Sequence, residues 1–217
     1  MNRPGIWNEL FPSALRLMAH LESQTIDPPW TFGGGTVLML RINHRQSKDI
    51  DLFVPDPQYL GYVSPRLSEV AEQISTDYDE GAEVIRFYLP AGEIDIIVGA
   101  ALTEAPYDVV QHAGRTIRVE TCAEIIAKKI WHRGHFGKAR DLYDLCAVAD
   151  AEPEAIALVA PFMNRYGAAF LKRLTEDAVQ IQADFEAIDV INFQRPFLQC
   201  LEQAHAIIEP LLNNGSA

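Results

Sequence analysis

Cysteine is scarce in this chain: Cys122, Cys146 and Cys200 are odd in number and far apart, which excludes a disulfide framework. They read as small buried hydrophobes in a protein kept reduced. No apolar run approaches the roughly 18 residues that span a bilayer, which excludes a transmembrane helix. The opening "MNRPGIWNELFPSALRLMAH" lacks the continuous apolar core of an export signal, so the expected location is cytoplasmic. Cations are in deficit, with 18 Lys and Arg against 30 Asp and Glu, a formal charge of −12. That balance argues against general DNA binding, while a local basic patch that grips a nucleotide or an RNA end stays open. Repeats, low-complexity tracts and a long linker are also missing.

What is present is ordinary globular material, 48% hydrophobic and 22% charged over 217 residues. The pattern predicts an amphipathic helix in "NELFPSALRLMAHLESQ" and a strand in "KDIDLFV", with "TVLMLRI" open to either form. "SPRLSEVAEQIS" is expected to be a helix capped by Ser64, with Pro65 at its first position. "EVIRFYL" and "EIDIIVGA" read as a hairpin, "RTIRVE" as a short strand, and everything from Thr121 onward as helical. The expectation is an α/β (α+β) domain over residues 1–120, a small mixed sheet flanked by helices. A helical domain over residues 121–217 follows it.

Chemistry concentrates in "TFGGGTVLMLRINHRQSKDIDLF". On a strand, Asp49 and Asp51 share one face, roughly 7 Å apart, while Ile50 and Leu52 face a core. Two carboxylates so close repel unless a cation lies between them. Asp95 in "EIDIIV" has the same apolar flanks and is expected on a neighbouring strand. Three such carboxylates suit Mg²⁺ or Mn²⁺ bridging a nucleotide's phosphates. A lone D-x-D is more often two solvent-facing positions of an edge strand; the third aspartate and the glycines upstream change that balance. Gly33, Gly34 and Gly35 allow backbone N–H groups to approach phosphate, and Thr36 adds a hydroxyl where a helix can begin. A glycine triplet alone is usually a turn, and no G-K-[ST] follows, so this is no Walker loop.

"GGGT", twelve residues, then "DID" resembles the nucleotidyltransferase signature. More narrowly, that block and "EIIAKKIWHRGHFGKARDLYDL" resemble the two motif blocks of the AbiEii/AbiGii-type toxin nucleotidyltransferases. The resemblance covers about residues 31–148, and one departure is a threonine, Thr36, where many nucleotidyltransferases have serine.

In the second block, helical spacing puts Lys129 and Arg133 on the same arc as Ile125, Ile126 and Ile130, with Lys128 toward its edge. Buried cations need an anionic partner, either a structural carboxylate such as Asp141 or a nucleotide's triphosphate. The resemblance favours Lys129 as a triphosphate contact and places Asp141 in the active site, although an Asp at a helix start is also an ordinary cap. Helical spacing sets Arg140 and Asp144 together on the outer side. Arg45 and Ser47 can contact phosphate or fix their loop. His44, His132 and His135 lack the spacing of a zinc site.

The resemblance implies NMP transfer from an NTP to a hydroxyl. Asp49, Asp51 and Asp95 would bind metal, Gly34, Gly35, Thr36, Arg45 and Ser47 would bind nucleotide, and Lys129 and Arg133 would meet the triphosphate. It further implies a bacterial toxin with a cognate antitoxin, acting on a tRNA 3′ end or a protein hydroxyl. The alternatives are small-molecule nucleotidylation of the antibiotic-modifying kind, and an inactive nucleotidyltransferase fold that works as a protein-binding module.

Overall fold

Trp7, Leu10, Phe11, Ala14, Leu17, Met18 and Leu21 recur at helical spacing, and all are buried along one face of helix α1 (Trp7–Gln24). The computed structural model describes residues 5–214. Its chain divides into two compact units. Of the described residues, the first comprises 5–40, 47–101 and 107–120, and the second comprises 41–46, 102–106 and 121–214.

The first unit is built on a mixed sheet of strands β1 (Thr31–Gly33), β2 (Ile50–Val54), β3 (Tyr78–Glu80), β4 (Val84–Leu89), β5 (Gly92–Val98), β6 (Tyr107–His112) and β7 (Arg115–Glu120). Their spatial order is β3-β4-β5-β2-β1-β7-β6. β2 runs parallel to β5 and antiparallel to β1, and β1 runs parallel to β7. In β2 burial alternates, with Ile50, Leu52 and Val54 inside, as the period of a half-covered strand requires. The aromatic centre of this core is Phe11, whose ring stands 4.8 Å from Phe32 and 5.4 Å from Trp7.

"TVLMLRI" resolves as helix, α2 (Gly34–Ile42), which begins directly at the end of β1. The helix expected from Ser64 does not form. A short helix α3 (Leu60–Val63) precedes a turn, and α4 (Glu69–Glu72) starts only after Ser68, whose hydroxyl accepts from Ala71 N–H at 3.2 Å. Ser64 is buried and donates instead to Glu80 at 2.8 Å, and Arg66 grips the same carboxylate at 2.6 Å. Tertiary bonds to Glu80 thus hold this segment in a turn that the local pattern alone would have wound into helix.

The second unit contains α5 (Cys122–Arg133), α6 (Ala139–Ala151), α7 (Pro153–Glu176), α8 (Ala178–Glu186) and α9 (Phe197–Asn214). Thr121 caps α5 by accepting from Glu124 N–H at 3.2 Å. The central α7 meets α9 closely enough that a Cβ on Gly167 would lie 2.4 Å from Ile208. Among the described residues, no helix is long and apolar enough to cross a membrane.

Candidate active site

Strand register builds a polar row across the first unit's sheet. Gly33 is paired with Asp51, Asp51 with Asp95, and Asp95 with Arg86. Directly opposed residues on adjacent strands point to the same face, so Arg86, Asp95, Asp51 and Gly33 form one line over β4, β5, β2 and β1. Asp95 is buried, and both of its oxygens accept from Arg86, from Nε at 2.8 Å and Nη2 at 2.6 Å. Glu93 also touches Arg86, at 3.2 Å. Nothing in the sequence pattern marked Arg86; only the register of β4 against β5 reveals it.

Carboxylates explain the glycines. Gly34 has φ +71°, a backbone conformation that a side chain strains, and a Cβ there would stand 1.9 Å from Asp51 Oδ2. On Gly33 a Cβ would fall 2.1 Å from Glu120 Oε2, and Glu120 Oε1 accepts from the Thr31 hydroxyl at 2.7 Å. The two glycines therefore give room to Asp51 and Glu120, a role beyond the phosphate cradle expected of them. Thr36 is fully buried, donates to the Asp49 carbonyl at 2.5 Å and lies 3.1 Å from the Ser47 hydroxyl. Its hydroxyl is thus spent on tying α2 to the D-x-D segment, where sequence reasoning had it facing phosphate. Gly35 lies inside the first turn of α2.

Asp49 stands one residue before β2, and its Oδ1 accepts from Glu93 N–H at 3.1 Å. Among the described residues no group of three or more His, Cys, Asp or Glu side chains stands together as a metal-ligand set. The donor chemistry nevertheless fits a hard cation. Asp51 and Asp95 are registered neighbours, and the Arg86 guanidinium already shows a positive charge held at Asp95.

A second charged cluster lies within the second unit. Lys129 is buried and bridges two carboxylates, with Nζ 2.7 Å from Asp141 and 3.0 Å from Asp144. Asp141 also caps α6 by accepting from Lys138 N–H at 3.1 Å, so the capping role and the lysine contact coexist. Arg133 is half-exposed, 4.0 Å from Asp141. Arg45 is buried and grips Asp144 with Nε at 2.7 Å and Nη2 at 2.8 Å, while His44 Nε2 lies 2.7 Å from the same carboxylate. Of the two roles open to Arg45, its contacts match loop fixing. Lys128 is buried as well, 3.5 Å from Glu124. Glu124, which the sequence did not single out, accepts from Leu102 and Thr103 N–H at 3.0 and 2.9 Å.

Asp144 corrects the helical-wheel reading. It is fully buried beneath cations, whereas the spacing placed it outside beside Arg140. α6 is enclosed from Asp141 through Val148, so over those two turns no wet face exists for the wheel to find, and exposure is confined to its ends, at Arg140 and from Asp150 on. Burial pushes the Asp144 carboxyl up, but Arg45, Lys129 and a hydrogen bond from His44 outweigh it and hold the group well below the usual range. Asp141 is likewise pushed up by burial and drawn down further by Lys129 and Arg133.

With this geometry in view, comparison decides the family. The model of the nucleotidyl transferase AbiEii toxin family, of the type IV toxin–antitoxin systems, matches residues 16–207. The chain belongs to the AbiEii family. Its fold is that of the nucleotidyltransferases: a crystal structure from H. pylori titled "putative nucleotidyltransferase" aligns at a TM-score of 0.50 and 19% identity, covering 95% of this chain and 96% of that one. The antibiotic-resistance factor ANT(2'')-Ia aligns at 0.52 and 17% identity, over 74% of this chain and 95% of its own. No curated protein matches the sequence. The AbiEii family is one of nucleotidyltransferases, whose substrate is an NTP.

Proposed function

We propose that this AbiEii-family chain is a divalent-metal-dependent enzyme that moves NMP from an NTP to a hydroxyl of a tRNA 3′ end or a protein. Acting in the cytoplasm, it serves as a toxin whose effect a cognate antitoxin counters. The observation that carries the catalytic part is the registered pair Asp51 and Asp95, with Gly34 leaving space for the Asp51 carboxylate. Asp51 and Asp95 would hold Mg²⁺ or Mn²⁺, and Asp49 would join them by giving up its bond to Glu93 N–H. When bound, such a cation supplies Lewis-acid charge to the phosphoryl oxygens and to the leaving pyrophosphate. Asp95 is also the candidate to accept the acceptor's hydroxyl proton. Gly34 and Gly35, at the start of α2, offer backbone donors to phosphate, while Thr36 and Ser47 keep that turn against Asp49.

Lys129 and Arg133 are the proposed triphosphate cations. Lys129 has two carboxylates to share, so it can turn to a phosphate while Asp144 remains held by Arg45 and Asp141 by the Lys138 N–H. Arg45 is a positioning residue for Asp144. The net charge of −12 favours contact with a short RNA end over a long duplex footprint.

The test incubates each α-³²P-labelled NTP with Mg²⁺, total bacterial tRNA and cell lysate, beside Asp51→Asn. Label entering RNA with the wild type only establishes tRNA nucleotidylation and names the base, and label entering a protein band assigns a protein hydroxyl. Equal transfer by Asp51→Asn, or no transfer with any acceptor, would overturn the proposal.

A further inference from the structure

Asp51 and Asp95 present an electrostatic problem that the fold solves with its own side chain. Two carboxylates registered on adjacent parallel strands repel, and Asp95 is buried, so water screens that repulsion poorly. The neighbouring antiparallel strand places Arg86 opposite Asp95, and its planar fork takes both oxygens, at 2.8 and 2.6 Å. Arg86 is itself 41% exposed along its side chain, with room to move. A second anion is already within reach, since Glu93 Oε2 lies 3.2 Å from Arg86 Nε and is 38% exposed.

We infer that Arg86 is a resident counter-charge that occupies Asp95 until a divalent cation arrives, then shifts its hold to Glu93. The inference rests on the assignment of Asp51 and Asp95 as the metal carboxylates. Arg86 performs no chemistry on the nucleotide; it acts through Asp95 as a positioning residue. Its consequence is a weak affinity for the bare cation. A free ion must displace a bidentate guanidinium, whereas an ion already carried on a triphosphate brings additional phosphate contacts to offset that loss. Arg86 thereby couples metal entry to nucleotide entry.

The experiment measures Mn²⁺ binding without nucleotide, from the electron paramagnetic resonance signal of the free ion, for wild type, Arg86→Gln, Arg86→Lys, Asp51→Asn and Asp95→Asn. Arg86→Gln is expected to bind Mn²⁺ roughly tenfold more tightly, the scale of removing one competing charge at contact distance in a half-exposed site. Arg86→Lys, which keeps the charge and loses the fork, should fall between Arg86→Gln and the wild type. Without Mn²⁺, Arg86→Gln should melt below the wild type, and Mn²⁺ should restore more of its stability. Should Arg86→Gln fail to fold, Arg86→Lys decides alone by the direction of its shift. Unchanged or weaker Mn²⁺ binding by the Arg86 variants, with Asp51→Asn and Asp95→Asn impaired, would overturn the inference and leave the metal assignment standing. Binding indifferent to both aspartates, or no binding to any protein, would overturn the two together.

Discussion

At Gly34, one hydrogen atom stands where any other residue would place a methyl group against the Asp51 carboxylate. Gly34→Ala combines a clash at 1.9 Å with a φ of +71°, and each is costly in its own right. The variant should lose about 2 kcal/mol or more of stability together with its transfer activity; a thermal melt beside the labelled-NTP assay reads both, and native-like behaviour in either would contradict the geometry. Asp144 makes the complementary case for a buried charge. Its folded carboxyl is held low, so its contribution to stability is complete above the unfolded carboxyl range near pH 4 and is lost as pH falls through the lower folded value. Asp141 acts in the same direction. Asp144→Asn should therefore flatten the acid limb of a stability–pH curve measured in urea. At neutral pH it should cost about 3–5 kcal/mol, because Arg45 and Lys129 lose a buried partner.

Elements were more legible than contacts. The hairpin of β4 and β5, the strand in "KDIDLFV" and the helical character beyond Thr121 all follow from hydrophobic period and turn residues, which report local structure directly. Register could not be read that way, so Arg86 beside Asp95 and Glu120 beside Gly33 emerged only in three dimensions. The wheel failed on α6 for a definable reason: a helix enclosed on most sides carries polar residues inside, and their partners lie far along the chain. Arg45, next to His44 in the sequence, was the available signal, since a guanidinium that is buried needs a carboxylate. Close helix packing supplies its own prediction. Gly167 on α7 faces Ile208 on α9, where an added Cβ would stand at 2.4 Å. Gly167→Val should destabilise the protein by about 1–3 kcal/mol through overpacking, and Ile208→Ala in the same chain should recover part of that loss in denaturant titrations.

For the molecule as a whole, catalytic competence predicts a linked stability. Nucleotide with Mg²⁺ at about a hundred times its dissociation constant should add roughly 2.7 kcal/mol, seen as a raised melting temperature. Asp51→Asn should abolish most of that gain, and a wild type indifferent to nucleotide would favour an inert binding module. The family was visible in two motif blocks, both of which lie within the residues that its model matches. The composition of the second unit was less visible, since residues 41–46 and 102–106 join it from within the first half of the sequence.

That composition also has a timetable. Arg45 and Asp144 are 99 positions apart; at about 5–20 residues per second, a ribosome exposes the guanidinium some 5–20 s before its carboxylate is made. Until then, the His44–Arg45 segment has no Asp144 to bury itself against. If the proposed toxicity depends on this cluster, an abortive polypeptide released before Asp144 is harmless, and the cell meets the poison only once translation has passed that carboxylate.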